Sequence, residues 1–315
     1  MPDPHRRTTR YPAALTAALA LVAVLATACG AGRSSADDAG RLRVVTTTTQ
    51  VADFTRHIGG AHVAVTQLLK PNVDPHDYEP SPADIKAVAD ARVVVENGGG
   101  LESWLGDTVD AAGFHGSTVD TSKGVRLRTG TGEEHGRDPH IWHDPRNAKT
   151  MSANIAAALE RADPAHAAAY RANLKRYAAK LDALDAWIER EIATIPPAQR
   201  KLVTNHDAFG YYVDRYHLTF VGSIIPSFDT SAELSGRQLD EIVAKIRAQH
   251  VRAIFSESSL PPKTAEAIGT RAHVRVEAGE DSLYGDTLGP AGSPGGTYIG
   301  MEEHNTRTIV GALRG

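Results

Sequence analysis

Short runs of β-branched and apolar residues alternate with helix-forming segments along most of this chain, and the alternation occurs twice. The predicted strands cover residues 42–46, 63–69, 92–96 and 117–120 in the first round, and 201–204, 218–222, 251–255 and 274–276 in the second. Strands that alternate with helices are typical of parallel sheets covered by helices. The sequence therefore predicts an α/β fold with two lobes, each a mainly parallel sheet flanked by helices.

One long helix is predicted between the two lobes. Asp163 and Pro164 resemble an N-cap followed by a proline at the first helical position, and residues 165–194 are rich in Ala, Leu, Lys and Glu. Thirty-odd helical residues would span about 45 Å, long enough to run along both lobes as a rigid connection. We therefore predict an N-terminal lobe at 41–162, a linking helix at 163–195 and a C-terminal lobe at 196–315, with restricted hinge motion.

The first residues have the pattern of a secretory signal. Arg6, Arg7 and Arg10 precede an almost uncharged apolar run at 13–28, which is too short to span a bilayer permanently. The run ends at Cys29, the only cysteine, in a context that resembles the lipobox of bacterial lipoproteins. We predict a signal peptide at 1–28, a lipid-anchored flexible tether at 29–40, and a location on the outer face of the cytoplasmic membrane. The alternative is plain cleavage, which would leave a periplasmic or secreted protein.

The charge balance argues against a nucleic-acid partner. The whole chain has 34 Lys and Arg against 38 Asp and Glu, and removal of the signal peptide makes the remainder slightly more acidic. Nucleic-acid-binding proteins usually carry a dense basic patch, which this sequence lacks. We expect a monomer whose contact with the membrane is made through Cys29.

Four metal-binding side chains lie in loops that follow predicted strands, two in each half of the chain. They are His76, His140, His206 and Asp281. Because ligands bind beyond the carboxyl ends of parallel strands, we expect these loops to meet in the cleft between the lobes. A lone histidine in an exported protein is more often a surface or capping residue. Three histidines at such positions, each near a proline or glycine, favour a metal site.

The types of ligand indicate which ion such a site would hold. Three neutral imidazoles and one carboxylate form a compact four-coordinate set that suits Zn(II), with bonds of about 2.0 to 2.2 Å. Manganese prefers more oxygen ligands, and a manganese receptor on this frame would replace one histidine by glutamate. Residue 206 is a histidine. The sequence therefore predicts Zn(II), with Mn(II) as the alternative.

The segments around these residues resemble a known family. The motifs are Pro-His-Asp-Tyr-Glu-Pro-Ser-Pro-Ala-Asp at 75–84, Asp-Pro-His-Ile-Trp at 138–142, His-Asp-Ala-Phe-Gly-Tyr at 206–211 and Asp-Ser-Leu at 281–283. They are similar to those of the zinc- and manganese-binding receptors of ABC importers, the TroA-like and ZnuA-like proteins of cluster A-I. The resemblance extends over essentially the whole mature chain.

The resemblance implies a function and a set of partners. It implies an extracytoplasmic, high-affinity zinc receptor, not an enzyme, with His76, His140, His206 and Asp281 as ligands and a rigid helix between the lobes. A permease and an ATPase would complete the importer, and a metal-loading chaperone is a further candidate partner.

Several further polar residues lie near the motifs. Residues 129–137 form a short segment where zinc-selective members often have a long loop rich in histidine and acidic residues, so an accessory metal-gathering role is not expected. His143 stands where members commonly have an apolar residue, and we expect an exposed loop histidine, with an auxiliary ligand or transfer role as the alternative. Glu257 would line the cleft or cap the next segment. The remaining histidines are expected at the surface: His57, His62, His115, His166, His217, His250, His273 and His304.

Two rival functions belong to other classes. A zinc-dependent hydrolase would use Glu79 or Asp207 as general base, but four protein ligands leave no open position for water, and the His-Glu-x-x-His and Gly-x-Ser-x-Gly motifs are absent. Asp207 would otherwise be a helix N-terminal charge or support a ligand. A surface adhesin lipoprotein would use the metal structurally and unfold without it. For the receptor, we expect the Gly- and Pro-rich segment 277–296 to move Asp281 into the site.

Overall fold

The computed structural model describes residues 40–130, 136–232 and 235–314, and the described residues from Arg41 onward form one compact unit. The predicted signal peptide and all of the predicted tether except Gly40, Cys29 included, lie outside the described residues, as do Glu133, Glu134 and His135. None of the described helices is long and apolar enough to cross a membrane.

The chain alternates between strands and helices in both halves, and all eight predicted strands are present. The first half contains β1 Leu42–Thr46, α1 Thr49–Gly59, β2 Val63–Gln67, α2 Pro82–Asp90, β3 Val93–Glu96, α3 Leu105–Ala111, β4 Ser117–Asp120 and α4 Pro145–Ala162. The second contains α5 Ala167–Ala193, β5 Lys201–His206, α6 Gly210–Tyr216, β6 Thr219–Ile225, α7 Gly236–Ala248, β7 Ala253–Phe255, α8 Lys263–Ala272, β8 Arg275–Glu277 and α9 Tyr298–Arg314. Short 3-10 turns lie at Gly60–His62, Ile141–His143, Pro164–His166, Pro197–Gln199 and Gly279–Asp281.

The two sheets have the same topology. The strand order is β2-β1-β3-β4 in the first sheet and β6-β5-β7-β8 in the second, and every pairing is parallel. In each sheet the strand order reverses beside the central strand, β1 or β5, so loops on opposite sides of that point diverge and leave a crevice. The predicted α/β class is confirmed, and the crevices define where a ligand can lie.

Local sequence explains where helices begin. Ser81 caps α2 by accepting from the backbone nitrogen of Asp84, whose side chain bonds back to the Ser81 nitrogen, and Pro82 occupies the first turn. Ser235 and Gln238 form the same reciprocal cap at α7. Such caps satisfy backbone donors that the helix itself leaves unpaired.

One hydrophobic core runs through both lobes. It joins the inner faces of the two sheets to α1, α4, α5 and α9, while smaller clusters fill the outer faces. Helix α5 contributes a stripe of fully or nearly fully buried side chains at helical spacing, Tyr170, Tyr177, Leu181, Leu184, Ile188 and Ile192. Each such side chain contributes about 1.5 to 3 kcal/mol through burial. A shared core of this kind opposes wide opening of the lobes.

The linking helix differs from its prediction at its start. Helix α5 has 27 residues and begins at Ala167, after a 3-10 turn, so it spans about 40 Å. Asp163 does not cap it. The Asp163 carboxylate instead accepts from the Tyr170 hydroxyl at 2.6 Å and lies 2.7 Å from His166 Nδ1. The long helix that joins the lobes is nevertheless present.

Helix α4 was not predicted from the sequence. Asp144 caps it by accepting from the backbone nitrogen of Arg146, and Pro145 takes the first helical position. The helix packs against α1 and α5, and it buries Met151 and Ile155 against the first lobe. Its start fixes the segment just before it, which carries His140 and His143.

Candidate metal centre

His76 is presented by the loop between β2 and α2. Its backbone nitrogen donates to Asp74 Oδ1 at 2.9 Å, and Trp104 Nε1 donates to the Pro75 carbonyl at 3.3 Å. The other carboxylate oxygen of Asp74 accepts from the Thr230 hydroxyl at 2.5 Å, which joins this loop to the second lobe. These bonds hold the His76 imidazole over the cleft.

His140 and His206 approach the cleft from opposite lobes. His140 directly precedes the 3-10 turn Ile141–His143, and His206 is the last residue of β5, the strand at which the second sheet reverses its order. Both imidazoles are fully buried, whereas the side chain of His76 retains 6% exposure. His76 therefore lies on the solvent side of the site.

The three imidazoles and Asp286 form one cluster. The Nε2 atom of His140 lies 3.3 Å from His76 Nε2 and 3.3 Å from His206 Nε2. Asp286 Oδ1 lies 3.4 Å from His140 Nε2 and 3.3 Å from His206 Nε2, and its Oδ2 lies 3.9 Å from His76 Nε2. In a tetrahedral complex with bonds of about 2.0 to 2.1 Å, ligand atoms are about 3.3 to 3.4 Å apart. Most of the observed separations therefore match the edges of a tetrahedral zinc shell.

Asp286 takes the place predicted for Asp281. The latter ends the 3-10 turn Gly279–Asp281 and is exposed. The chain then pairs beside β7 through a parallel bridge between Glu257 and Leu283, and only after that bridge does it turn into the cleft. Asp286 is fully buried among the imidazoles, and the group of potential ligands found among the described residues contains it and not Asp281. The choice of Asp281 is corrected accordingly.

Two buried carboxylates orient two of the imidazoles. Asp138 Oδ1 lies 2.9 Å from His140 Nδ1, and Arg128 donates to the other Asp138 oxygen at 2.6 Å. Glu257 Oε1 lies 3.1 Å from His206 Nδ1, and the same oxygen accepts from the backbone nitrogen of His206 at 3.0 Å. A proton on Nδ1 that faces a carboxylate leaves the Nε2 lone pair free for an ion. Glu257 therefore lines the cleft, one of the two roles considered for it.

Burial and neighbouring charges shift the pKa values of all four groups in the cluster. Burial alone would lower the pKa of His140, but two neighbouring carboxylates outweigh burial and raise it to about 9. Burial likewise opposes protonation of His206, yet Asp286 and Glu257 raise the pKa of His206 well above its usual range. Burial would raise the pKa of Asp286, and the imidazoles hold it well below its usual range. The pKa of His76 is lowered, chiefly by burial.

The loop that carries Asp286 is anchored on both sides. Gln50 Nε2 in α1 donates to the Asp286 carbonyl at 2.8 Å, and Asn305 in α9 accepts from the backbone nitrogen of Tyr284 at 2.9 Å and donates to its carbonyl at 2.8 Å. The mobility expected of segment 277–296 stays a prediction. Both carboxylate oxygens of Asp286 are buried without a well-aligned donor among the described residues, which a bound cation would compensate.

The other polar residues weighed from sequence are also placed. His143 is fully buried, so the expectation of an exposed loop histidine is wrong. The remaining eight histidines are all at least partly exposed, which confirms their surface assignment. Glu79 is exposed, and Asp207 is half-buried with a pKa raised to about 6 by burial and by Asp138.

Comparison with known proteins gives the family. Residues 44–312 match the family described as zinc-uptake complex component A, periplasmic. The chain belongs to this family. It is a metal-binding receptor of ABC importers, the substrate-binding component of cluster A-I, and not an enzyme. This role implies a permease and an ATPase as partners.

Individual relatives differ in the metal that their names give. The chain is 34% identical to the manganese-binding lipoprotein MntA of Bacillus subtilis over 306 residues, which cover 95% of this chain and 99% of MntA. It is 33% identical to the zinc-binding protein TroA of Treponema pallidum over 311 residues, which cover 94% and 96%. The solved structure of the periplasmic zinc-binding TroA superposes with a TM-score of 0.81 at 31% identity, covering 87% of this chain and 99% of TroA. Family membership thus establishes metal binding, and the choice of ion depends on the site.

Proposed function

We propose that this protein captures one Zn(II) ion with His76, His140, His206 and Asp286 and delivers it to an ABC importer. The observation that carries the proposal is the spacing of the donor atoms. Four of the distances between pairs of these atoms are 3.3 to 3.4 Å, as in a tetrahedral zinc shell. The shell is closed, because four protein ligands fill the four positions that zinc commonly uses in non-catalytic sites.

The donor set favours zinc over manganese. Three imidazole nitrogens and one carboxylate are typical zinc ligands, whereas manganese sites are richer in oxygen. The carboxylates of Asp138 and Glu257 orient the rings of His140 and His206, so the nitrogen donors are held in place before the ion arrives. Manganese remains the second candidate, since the relative MntA is named for it.

Exchange of the ion takes place on the side of His76 in this proposal. His76 is the one member of the cluster with residual exposure, and its loop is joined to the second lobe by the bond between Asp74 and Thr230. Gln50 in α1 bonds to the backbone of Asp286, and Asn305 in α9 bonds to the loop that carries Asp286. Release would therefore begin with movement of the His76 loop, while the other three ligands stay near their bound positions.

Delivery requires the receptor to stay near the importer. A lipid anchor on Cys29 and the tether at 29–40 would keep the folded body at the outer face of the cytoplasmic membrane, within reach of a permease and its ATPase. A single receptor molecule carries the whole site, since all four ligands come from one chain. A monomer is therefore sufficient for the proposed function.

Titration calorimetry on the apo protein tests the proposal. We expect one zinc ion per chain and tighter binding of zinc than of manganese. A His206→Glu variant replaces a nitrogen donor by oxygen and is expected to narrow the preference for zinc, whereas the matched variant His115→Glu, at an exposed histidine, is expected to leave it unchanged. Manganese binding as tight as zinc binding in the unmodified protein would refute the choice of ion.

A further inference from the structure

His143 and Glu302 form a fully buried pair beneath the metal centre. His143 ends the 3-10 turn that follows His140, and Glu302 lies in the first half of α9. His143 Nδ1 is 2.9 Å from Glu302 Oε1, and the imidazole stacks on the ring of Phe209 with centroids 4.4 Å apart. Both side chains are 0% exposed. A histidine and a carboxylate buried together are costly to keep unless their hydrogen bonds are satisfied, so the pair needs a structural reason.

The other nitrogen of His143 shows what the pair holds. His143 Nε2 is 3.0 Å from the carbonyl oxygen of Gly285, and Trp142 Nε1 donates to the same oxygen at 3.1 Å. A carbonyl oxygen only accepts, so His143 Nε2 must carry a proton and donate it. Glu302 bonds to Nδ1 and thereby fixes the orientation in which the ring faces Gly285. The Gly285 carbonyl is thus held by two donors from the first lobe's side of the cleft.

Gly285 has little freedom on its opposite side as well. A Cβ atom at this position would lie 2.0 Å from Glu257 Oε2, the carboxylate that orients His206. The Gly285 backbone is therefore packed between Glu257 and the donors Trp142 and His143. Asp286 follows Gly285 directly, so a shift of this peptide moves the carboxylate relative to the imidazoles.

We infer that His143 and Glu302 are positioning residues, which fix the Gly285 carbonyl and thereby hold Asp286 at bonding distance from the ion. The inference rests on the proposed function, because it assigns these residues a role at the proposed zinc site. Neither side chain contacts the ion. Partners that orient a metal ligand from behind typically change metal affinity by about 10- to 100-fold when they are lost.

The test replaces both members of the pair at once. Removing one member leaves the other buried without its partner and destabilises the fold, so the informative variant is His143→Leu combined with Glu302→Met. Glu302→Gln is the conservative variant, since its amide can still bond to Nδ1 while Nε2 donates to Gly285. Tyr212→Phe is the matched control: it removes a buried bond from α6 to Thr306 in α9, at 2.8 Å, without touching the Gly285 loop.

Zinc affinity and the visible spectrum of the cobalt-loaded protein are the two readouts. For the double variant we expect affinity about 10- to 100-fold weaker and an altered cobalt spectrum, because the carboxylate no longer sits at its place in the shell. Glu302→Gln and Tyr212→Phe are expected to keep the wild-type affinity and spectrum, although Tyr212→Phe lowers the melting temperature. A double variant that folds and matches the wild type in both readouts would overturn the positioning role alone. Failure of the wild type to bind zinc would instead overturn the proposed function.

Discussion

Acidification should weaken zinc binding steeply, because the ion competes with protons for His140 and His206. The pKa of His140 is raised to about 9, so at pH 7 roughly one molecule in 100 has this imidazole neutral. Each protonated imidazole that must lose its proton changes the affinity about tenfold per pH unit, or about 1.4 kcal/mol. His206, whose pKa is also raised, adds a second such factor. We therefore expect affinity to fall about 10- to 100-fold between pH 7.5 and pH 6.5.

Calorimetry in buffers of different ionisation enthalpy counts the released protons directly. At pH 7 we expect between one and two protons per zinc ion. Asp138→Asn removes a carboxylate that raises the pKa of His140 and should lower this count, whereas Asp163→Asn alters a similar contact to the surface residue His166 and should leave it unchanged. Binding without proton release, or equal affinity at pH 5 and pH 7.5, would refute the reasoning.

The stability of the apo protein should follow the opposite trend. A histidine whose pKa is raised on folding stabilises the folded state fully below its unfolded pKa of about 6.5, and this contribution is lost as pH rises through the folded value. For His140 that window extends from about 6.5 to about 9. This contribution should therefore decrease across the window while zinc affinity increases. Thermal melts of the apo protein at several pH values, compared with those of the Asp138→Asn variant, isolate the contribution of His140 to stability.

Three further predictions concern ligands, exchange and folding. Asp286→Asn should weaken zinc binding by at least about 100-fold, beyond the usual effect of an orienting partner, while Asp281→Asn should leave it unchanged in the same titration. Thr230→Ala removes the bond to Asp74 that joins the His76 loop to the second lobe, a loss of about 1 kcal/mol, and should speed zinc release about fivefold in a stopped-flow chelator assay. Chelation should leave a folded apo protein with a lower melting temperature, since zinc at 1,000 times its Kd adds only about 4 kcal/mol. Unfolding on chelation would favour a structural metal.

Much of the fold could be predicted because periodicity is a local property of the sequence. Strands such as Val93–Glu96 are short β-branched runs, and their alternation with helices already specifies parallel sheets. Helix α4 was missed although Asp144 and Pro145 form the N-cap and first-turn proline that mark a helix start, because both residues were assigned to a loop motif. The capping role expected of Asp163 failed because two side chains compete for its carboxylate.

The structure brings together the three histidines named from the sequence, and it places Asp286 beside them and not Asp281. His206 ends β5, and His76 and His140 lie in the connections that follow β2 and β4, so the topology directs all three to the carboxyl ends of the strands. Asp281 and Asp286 both follow the last strand, and their order along the chain does not show which one turns inward. The flanking residues carried a signal: Asp281 follows the charged Glu280, whereas Asp286 follows Gly285, whose backbone packs closely against Glu257.

The burial of His143 could not be predicted from the residues next to it in the sequence. Its partner Glu302 is 159 residues away along the chain, and the two meet only because α9 crosses back against the first lobe. In isolation, a histidine beside Asp144 and Pro145 has the composition of an exposed loop. Only the tertiary structure shows that both of its nitrogens are used.

Anomalous diffraction at the zinc edge from crystals of the zinc-loaded protein tests the central claim most directly. We expect one zinc peak in the interlobe cleft, within about 2.0 to 2.2 Å of the Nε2 atoms of His76, His140 and His206 and of a carboxylate oxygen of Asp286. A peak bonded to Asp281 in place of Asp286, or one that lacks any of the three imidazoles, would contradict it.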